Sequence, residues 1–329
     1  MLLVAMLTFF SDHRAQLLAF VLGLLLIPAV ARAKLCGSDV RGHRVPCACG
    51  DTVVSDLVLT DDPVASDVCP GDGLVLRAID AAHGVTVDLR GKTLRGSGRG
   101  TGVWILYGGP GGARLVSRGG PATIAGFRDG VVGHGVDSVV LIDGIIAAGS
   151  SRDGVRVEAA GYQIRATEAR DSGRDGFFLM GAGFRVTATH AINSGHFGYL
   201  IMGEGAVIGA PGSGNTAHGS GEAGFNLTGR QHLLAGCVAL EGRKEGVRLN
   251  ATRSQVIGCI ATGNDGNGII GVNADLRLSG NRAVNNGDNG IVVWGSGVED
   301  HGGNVGHGNR GRHRQNRIDC EIDGRPCRH

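Results

Sequence analysis

One internal period constrains this chain more than any other feature. A glycine followed by an aliphatic or aromatic residue recurs at Gly102-Val103, Gly130-Val131, Gly154-Val155, Gly176-Phe177, Gly198-Tyr199, Gly224-Phe225, Gly246-Val247, Gly268-Ile269 and Gly290-Ile291. The intervals are 28, 24, 22, 22, 26, 22, 22 and 22 residues. Seven residues before the last seven of these glycines stand Ala147, Ala169, Ala191, Ala217, Ala239, Ala261 and Ala283, without exception. Twelve residues before them come Ile142, Ile164, Val186, Leu234, Val256 and Leu278, with Gly212 breaking the row inside the longest interval. Positions one and three past each glycine are mostly apolar, as in Gly-Val-Arg-Leu-Asn at 246–250. That alternation is the mark of a strand with one buried face. A unit this short cannot bury its apolar face alone and must stack on its neighbours. The period predicts an all-β chain, a right-handed parallel β-helix (solenoid) of about nine or more coils with roughly 22-residue repeats. Leucine-rich repeats share the length, but their L-x-x-L-x-L signature is absent.

Composition removes the competing folds. Glycine supplies 60 of 329 residues, and each glycine inside a helix costs about 1 kcal/mol against alanine, so a helical bundle is excluded. No G-X-Y period appears and there are only 8 prolines, which excludes collagen. Hydrophobic residues at 42% and charged residues at 19% are those of a folded chain. The formal charge is only +2, so no strong field draws nucleic acid or an anionic membrane surface.

The N-terminus reads as a targeting segment. Residues 17–30 form an uninterrupted apolar run, preceded by Arg14 and followed by Ala31-Arg32-Ala33. This is an h-region with an A-x-A cleavage site, shorter than the roughly 20 residues of a membrane span. Residues 1–33 are therefore expected to be a signal peptide, with an uncleaved anchor as the alternative. The mature chain is expected to be exported to a periplasmic, cell-surface or extracellular location, with no membrane insertion after cleavage. Eight cysteines remain, at 36, 47, 49, 69, 237, 259, 320 and 327. An even count in an exported chain favours disulfides, and C-x-C at 47 and 49 is not a zinc-knuckle spacing. Pairing is expected within residues 34–73 and between Cys320 and Cys327. Residues 34–73 then form a stapled N-terminal cap, 74–300 the β-helix and 301–329 a Cys-containing tail.

Coils stack at about 4.8 Å, so equivalent positions form ladders. The alanines are expected inside a tight turn where only a methyl fits. Two residues earlier stand Thr167, Thr189, Asn215, Cys237, Cys259 and Asn281. Inward Asn at this position can bond turn backbone that would otherwise be buried unpaired. Cys237 and Cys259 are stacked neighbours, equally compatible with a disulfide and with two small buried thiols.

Residues 74–105, with GVTVDLRGKTLRGSGRG at 84–100, resemble the first coils of the pectate-lyase-like right-handed β-helix superfamily. That group includes polysaccharide lyases, alginate C5-epimerases and NosD-type periplasmic proteins. The resemblance implies a β-helix over about 74–300 and a polysaccharide or cell-surface glycan partner. It also places chemistry on an outward strand face with clustered carboxylates, Arg, Lys or His. The Asp-Pro-His-Asp run of alginate epimerases is missing here, as is the Asp cluster of calcium-dependent pectate lyases. No metal or cofactor motif is legible.

The ladders nonetheless supply candidates. One and two residues before the glycines stand Arg152-Asp153, Arg174-Asp175, His196-Phe197, Glu222-Ala223 and Lys244-Glu245. Stacking aligns Arg174, His196 and Glu222 on one edge. A His beside a carboxylate and an Arg can serve as a base with a carboxylate clamp. The alternative is a solvated turn whose charges pair with one another. Substrate-binding candidates are Arg152, Asp153 and Asp175 on that edge and, just past the glycines, Phe178, Met180, Leu200 and Met202. These four apolar residues fall on a face expected to be wet, which suggests that something covers them. The Gly-rich run at 203–214 lies in the longest interval and could fold over this patch as a cover or form a sugar-binding wall. A weaker ladder holds Glu168, His190 and Thr216, and His301, His307 and His313 recur near the C-terminus.

Three functions follow from these features. The first is an exported β-helix repeat protein that binds polysaccharide or another partner along its flank. The second is a lyase or C5-epimerase acting on a uronate polymer at Arg174, His196 and Glu222. The third is a purely structural surface rod.

Overall fold

The computed structural model describes residues 33–77, 84–107, 111–134, 140–210, 214–272, 274–311 and 319–327. The apolar run at 17–30 and its cleavage site up to Arg32 lie outside the described residues, as does His313. From Lys34 onward the chain winds as a parallel β-solenoid with three sheets. The first sheet has fifteen strands and the other two have eleven each. A representative coil runs Val155–Glu158 in the first sheet, Tyr162–Arg165 in the second and Glu168–Arg170 in the third. The next coil begins at Phe177, in register with Val155. Among the described residues helix is limited to Pro63–Ser66.

The repeat glycines and alanines turn out to be one structural device. The alanines do not sit in a turn, as their size had suggested. Each is the central, inward residue of a three- or four-residue strand of the third sheet, as in His190–Ile192. They are small because each faces a repeat glycine across the corner with the first sheet. A Cβ added to Gly176 would stand 2.9 Å from the Ala191 methyl, and one added to Gly246 would stand 2.7 Å from that of Ala261. Neither glycine has a positive φ, so closeness alone excludes a side chain there. The corner is thus closed by a repeat glycine and an alanine methyl from Gly130 to Gly268, and at Gly290 by Asn309 and Asp319 instead.

Inside the solenoid, aliphatic ladders fill the section and Phe177, Tyr199 and Phe225 stack with centroids 4.7 and 4.6 Å apart. Such aligned stacking follows from parallel in-register strands. Between the second and third sheets the inward Asn acts as expected. Asn215 Oδ1 accepts from the Thr189 backbone N–H at 3.0 Å, and its Nδ2 donates to the Val186 carbonyl at 2.9 Å. Cys237 and Cys259 occupy the same ladder with Cα atoms 4.5 Å apart and form a disulfide.

The remaining disulfides are Cys36–Cys47, Cys49–Cys69 and Cys320–Cys327, so all eight cysteines are paired. An antiparallel partner closes each end of the first sheet: His43–Val45 beside Leu35–Val40, and Arg325–Pro326 beside Cys320–Ile322. The outermost strands are thereby only 3 and 2 residues long, which leaves little edge for further strand pairing. Among the described residues no helix is long and apolar enough to cross a membrane.

Candidate functional site

The corner between the third and first sheets carries an Arg-Asp-Gly triplet in three successive coils, at 128–130, 152–154 and 174–176. The three aspartates are fully buried despite their charge. Each is satisfied by the coil that follows it. Asp129 Oδ1 accepts from Arg152 Nε at 2.9 Å, Asp153 Oδ1 lies 3.1 Å from Arg174 Nε, and Asp175 Oδ1 lies 3.1 Å from His196 Nδ1. Asp175 Oδ1 also accepts the Phe197 backbone N–H at 3.1 Å. His196 therefore takes the place that Arg holds in the two coils before it. Burial pushes the Asp153 carboxyl up, opposed by its hydrogen bond from Arg156 and the nearby Arg174 charge.

The predicted edge exists in the backbone. The His196 N–H donates to the Arg174 carbonyl and the Glu222 N–H to the His196 carbonyl, both at 2.8 Å. The side chains divide into two groups. Arg174 and His196 share Asp175, Arg174 Nε reaching its Oδ2 at 3.0 Å. Glu222 turns the other way, to Lys244 and to Arg248 at 3.7 Å. The Lys244 hydrogen bond holds the Glu222 carboxyl below its ordinary range, with Arg248 and His196 adding to the effect. With Nδ1–H donated to Asp175, His196 Nε2 is free to accept a proton; it has no hydrogen-bond partner among the described residues. Its side chain is 44% exposed. The chemical capacity here is an oriented imidazole beside an arginine already committed to buried carboxylates.

On the adjoining first-sheet face, Phe178, Leu200 and Asn226 are paired in register, as are Met180, Met202 and Thr228. Among the described residues, nothing from the long interval folds over them. Residues 203–208 continue the regular coil through Val207–Ile208 of the second sheet, and the extra length falls between Gly209 and Gly214. That corner joins the second and third sheets and is not shared by the first. Phe178 is instead shielded by guanidinium groups, Arg156 at 4.2 Å and Arg174 at 5.3 Å from its ring centroid. It is only 7% exposed. Arg156 is itself bonded to Asp153 at 3.0 Å and to Glu158. Met180 remains 41% exposed, and Leu200 and Met202 are half-buried.

Two parts of this face escaped sequence reasoning. Trp104, three coils before the Phe178 strand, stacks on His134 of the next coil with centroids 5.5 Å apart. Their intervals, 28 and 24, hid the register. The Arg-Asp-Gly triplet was visible, but nothing in it told buried aspartate from exposed. Elsewhere, Glu168, His190 and Thr216 align on the third sheet, with Glu168 beside Arg170 at 3.4 Å. His301 bonds Glu299 at 2.8 Å and His307 lies 3.5 Å from Arg282. No group of three His, Cys, Asp or Glu side chains is placed to hold a metal ion among the described residues.

Comparison with known proteins follows the fold. The family model described as "Right handed beta helix region" matches residues 129–304, more than half of the chain. No curated protein sequence matches it. Similar solved structures include the Dettilon tailspike protein gp208, at 14% identity and a TM-score of 0.45 over 79% of this chain. The chain spans 59% of that tailspike. The periplasmic alginate epimerase AlgG is 12% identical with a TM-score of 0.47, covering 74% of this chain and 73% of AlgG. The A-module of the Azotobacter vinelandii mannuronan C-5 epimerase AlgE4 is 17% identical with a TM-score of 0.38, covering 83% and 87%. The family match and the three-sheet parallel winding agree, and the chain belongs to the right-handed β-helix family.

Proposed function

We propose that this is an exported β-helix protein that binds a polysaccharide along the outward face of its first sheet. The observation that carries the reading is the order of side chains on that face. Beside the shielded Phe178, the accessible apolar Met180, Leu200 and Met202 are followed, coil by coil along the strands, by Thr228 and Asn250. Sugar rings offer apolar C–H faces and a rim of hydroxyls, and this order meets both. Solenoids present such extended faces as binding surfaces because each coil adds only one step to the last. The complete pairing of eight cysteines supports an oxidising compartment. Affinity electrophoresis of the protein lacking residues 1–33 in gels cast with polysaccharides tests the proposal. Retardation by at least one polymer is expected, and unretarded migration in all of them would remove it.

A second reading rests on the His196–Asp175 pair. A uronate lyase or C5-epimerase needs a base and a cation at one place, and His196 with Arg174 supplies both types. Unsaturated chain ends on a uronate polymer for a lyase, or exchange of the C5 hydrogen with solvent deuterium for an epimerase, vanishing in His196→Ala, would establish it. Absence of turnover with glycan binding unaffected by His196→Ala would leave the binding reading alone.

A further inference from the structure

The charges around the first-sheet face form a closed set. Arg152 is held by Asp129 and Asp153, Arg174 by Asp153 and Asp175, and Arg156 by Asp153 and Glu158. On the following coils Glu222 is matched by Lys244 and Arg248, and Glu204 by Arg230 at 2.6 Å. Arg248 also bonds Glu245 at 2.6 Å, and His134 lies 3.6 Å from Glu158. Arg152, Arg156 and Arg174 are bonded to fully buried aspartates, and Arg230, Lys244 and Arg248 to part-exposed glutamates, so each of these positive charges is matched by a carboxylate already on the face. Drawing a guanidinium off a buried aspartate is strongly unfavourable, and a face balanced in this way offers no net positive field to a polyanion. Between these paired charges runs an uncharged strip open to solvent: the Met180 thioether, the flanks of Leu200 and Met202, the Thr228 hydroxyl and the Asn250 amide.

We infer that the polysaccharide this face takes is a neutral one, without uronate, sulfate or phosphate groups, lying across the coils over Met180 and Met202 toward Asn250. This rests on the polysaccharide reading above and narrows it against the uronate polymers of the second reading. The apolar ring faces of a neutral sugar cover the thioethers and Leu200 without desolvating a charge. The Asn250 amide offers donors and an acceptor to hydroxyls, one of its N–H groups leaning 3.4 Å toward Asn226 Oδ1. Successive coils repeat this surface at about 4.8 Å, so contacts accumulate along a chain rather than at a single sugar.

The test compares retardation of the protein lacking residues 1–33 by a neutral β-glucan and a neutral mannan with that by polygalacturonate and alginate, at low and at high salt. Retardation by a neutral polymer that persists at high salt, and that weakens about tenfold or more in Met180→Glu, is the expected result. Met180 is an exposed position, and an unchanged circular dichroism spectrum checks that the variant folds. Retardation only by polyuronates, fading with salt, overturns the inference and leaves the polysaccharide reading intact. Neutral-polymer retardation unchanged in both Met180→Glu and Met202→Glu overturns the location. Retardation by none of the four overturns the inference, and the polysaccharide reading falls only if further polymers also fail.

Discussion

The coils from Gly154 to Gly224 and those from Gly246 onward fill one inward turn position with different chemistry. Four residues before the repeat glycine the earlier coils place Ser150, Ser172, Ser194 and Ser220, whose buried hydroxyls find no partner among the described residues. The later coils place Gly242, whose N–H donates to Asn264 Oδ1 at 3.0 Å, then Asn264 and Asn286, continued by Asn309. Asn286 bonds both neighbouring coils: its Oδ1 accepts from the Asn264 backbone and its Nδ2 donates to the Ala261 carbonyl, both at 3.1 Å in the preceding coil, and its backbone N–H donates to Asn309 Oδ1 at 3.0 Å in the next. The outer position before the glycine shows the same contrast. Asn289 donates its backbone N–H to Asn267 Oδ1 at 3.2 Å, the job Asp175 does for Phe197 at 3.1 Å. A neutral amide is therefore enough to bridge coils. The charged version in the earlier coils does this and also sets guanidiniums over Phe178 and an imidazole at the surface. Departure from the most economical scaffold marks where function is expected.

The contrast breaks most sharply in stability. Asn286→Ala leaves the Asn264 backbone N–H without its partner and removes one bond each from the Asn264 amide, which keeps the Ala239 carbonyl, and from the Ala261 carbonyl. A buried N–H left unpaired costs about 1–3 kcal/mol and each further lost hydrogen bond about 1 kcal/mol, so a loss of about 3 kcal/mol or more is expected. Ser194→Ala removes a hydroxyl without a partner and should stay within about 0.5 kcal/mol. Urea midpoints of the two variants measure this, and equal costs would erase the distinction between the halves. Next in size is the cross-coil disulfide, which only the later half carries inside its core. Replacing Cys237 and Cys259 together by alanine should lower stability by about 2–4 kcal/mol. No change in midpoint would show that stacking alone sets that ladder.

How far the sequence reveals this division depends on the period. Where intervals hold at 22, the alanine, glycine and apolar ladders predict register residue by residue, and Arg174, His196 and Glu222 do stack as expected. Two kinds of fact lay beyond it. The role of the alanines depends on which glycine each faces across a corner, a contact between coils that no single repeat displays. The direction of Glu222 depends on Lys244 and Arg248 in the next coil, and side chains at one ladder position choose among several neighbours at similar distance. Burial of Asp129, Asp153 and Asp175 was hidden for a related reason. Aspartate is rarely buried unless paired, and the pairing comes from the coil above.

A third, smaller effect lies near the boundary between the two halves, at His232. This side chain is 2% exposed; its Nδ1 accepts the Ala206 N–H at 3.2 Å and its Nε2 faces the Thr228 carbonyl at 3.2 Å. Burial pushes the imidazole down from 6.5, so the folded state prefers it neutral. Its contribution is fully present above the unfolded value of about 6.5 and is lost as pH falls below it. Between pH 7 and pH 5 this should remove up to about 2 kcal/mol. The acid-side slope of the melting temperature should shrink in His232→Asn, and an unchanged slope would assign acid sensitivity to another group.

The smallest effect belongs to Glu222, and its smallness is what makes it useful. The Lys244 hydrogen bond lowers its carboxyl below 4.5. Stability from this pair is present above that value and lost as pH falls through the lowered one. The partners are a half-exposed lysine and a carboxylate 24% exposed, so the contribution is that of a surface pair, about 0–1 kcal/mol. Glu222→Gln should therefore leave the urea midpoint nearly unmoved at neutral pH. Any large change in this variant then reports function rather than folding. If the first-sheet face binds a neutral glycan over Met180 and Met202, retardation by that glycan should be unaffected, because Glu222 turns toward Lys244 and away from the apolar residues. Loss of turnover on a uronate polymer in Glu222→Gln, with the midpoint preserved, would instead place chemistry on the edge where His196 and Arg174 share Asp175, and the earlier coils would differ from the later ones by a reaction as well as by a surface.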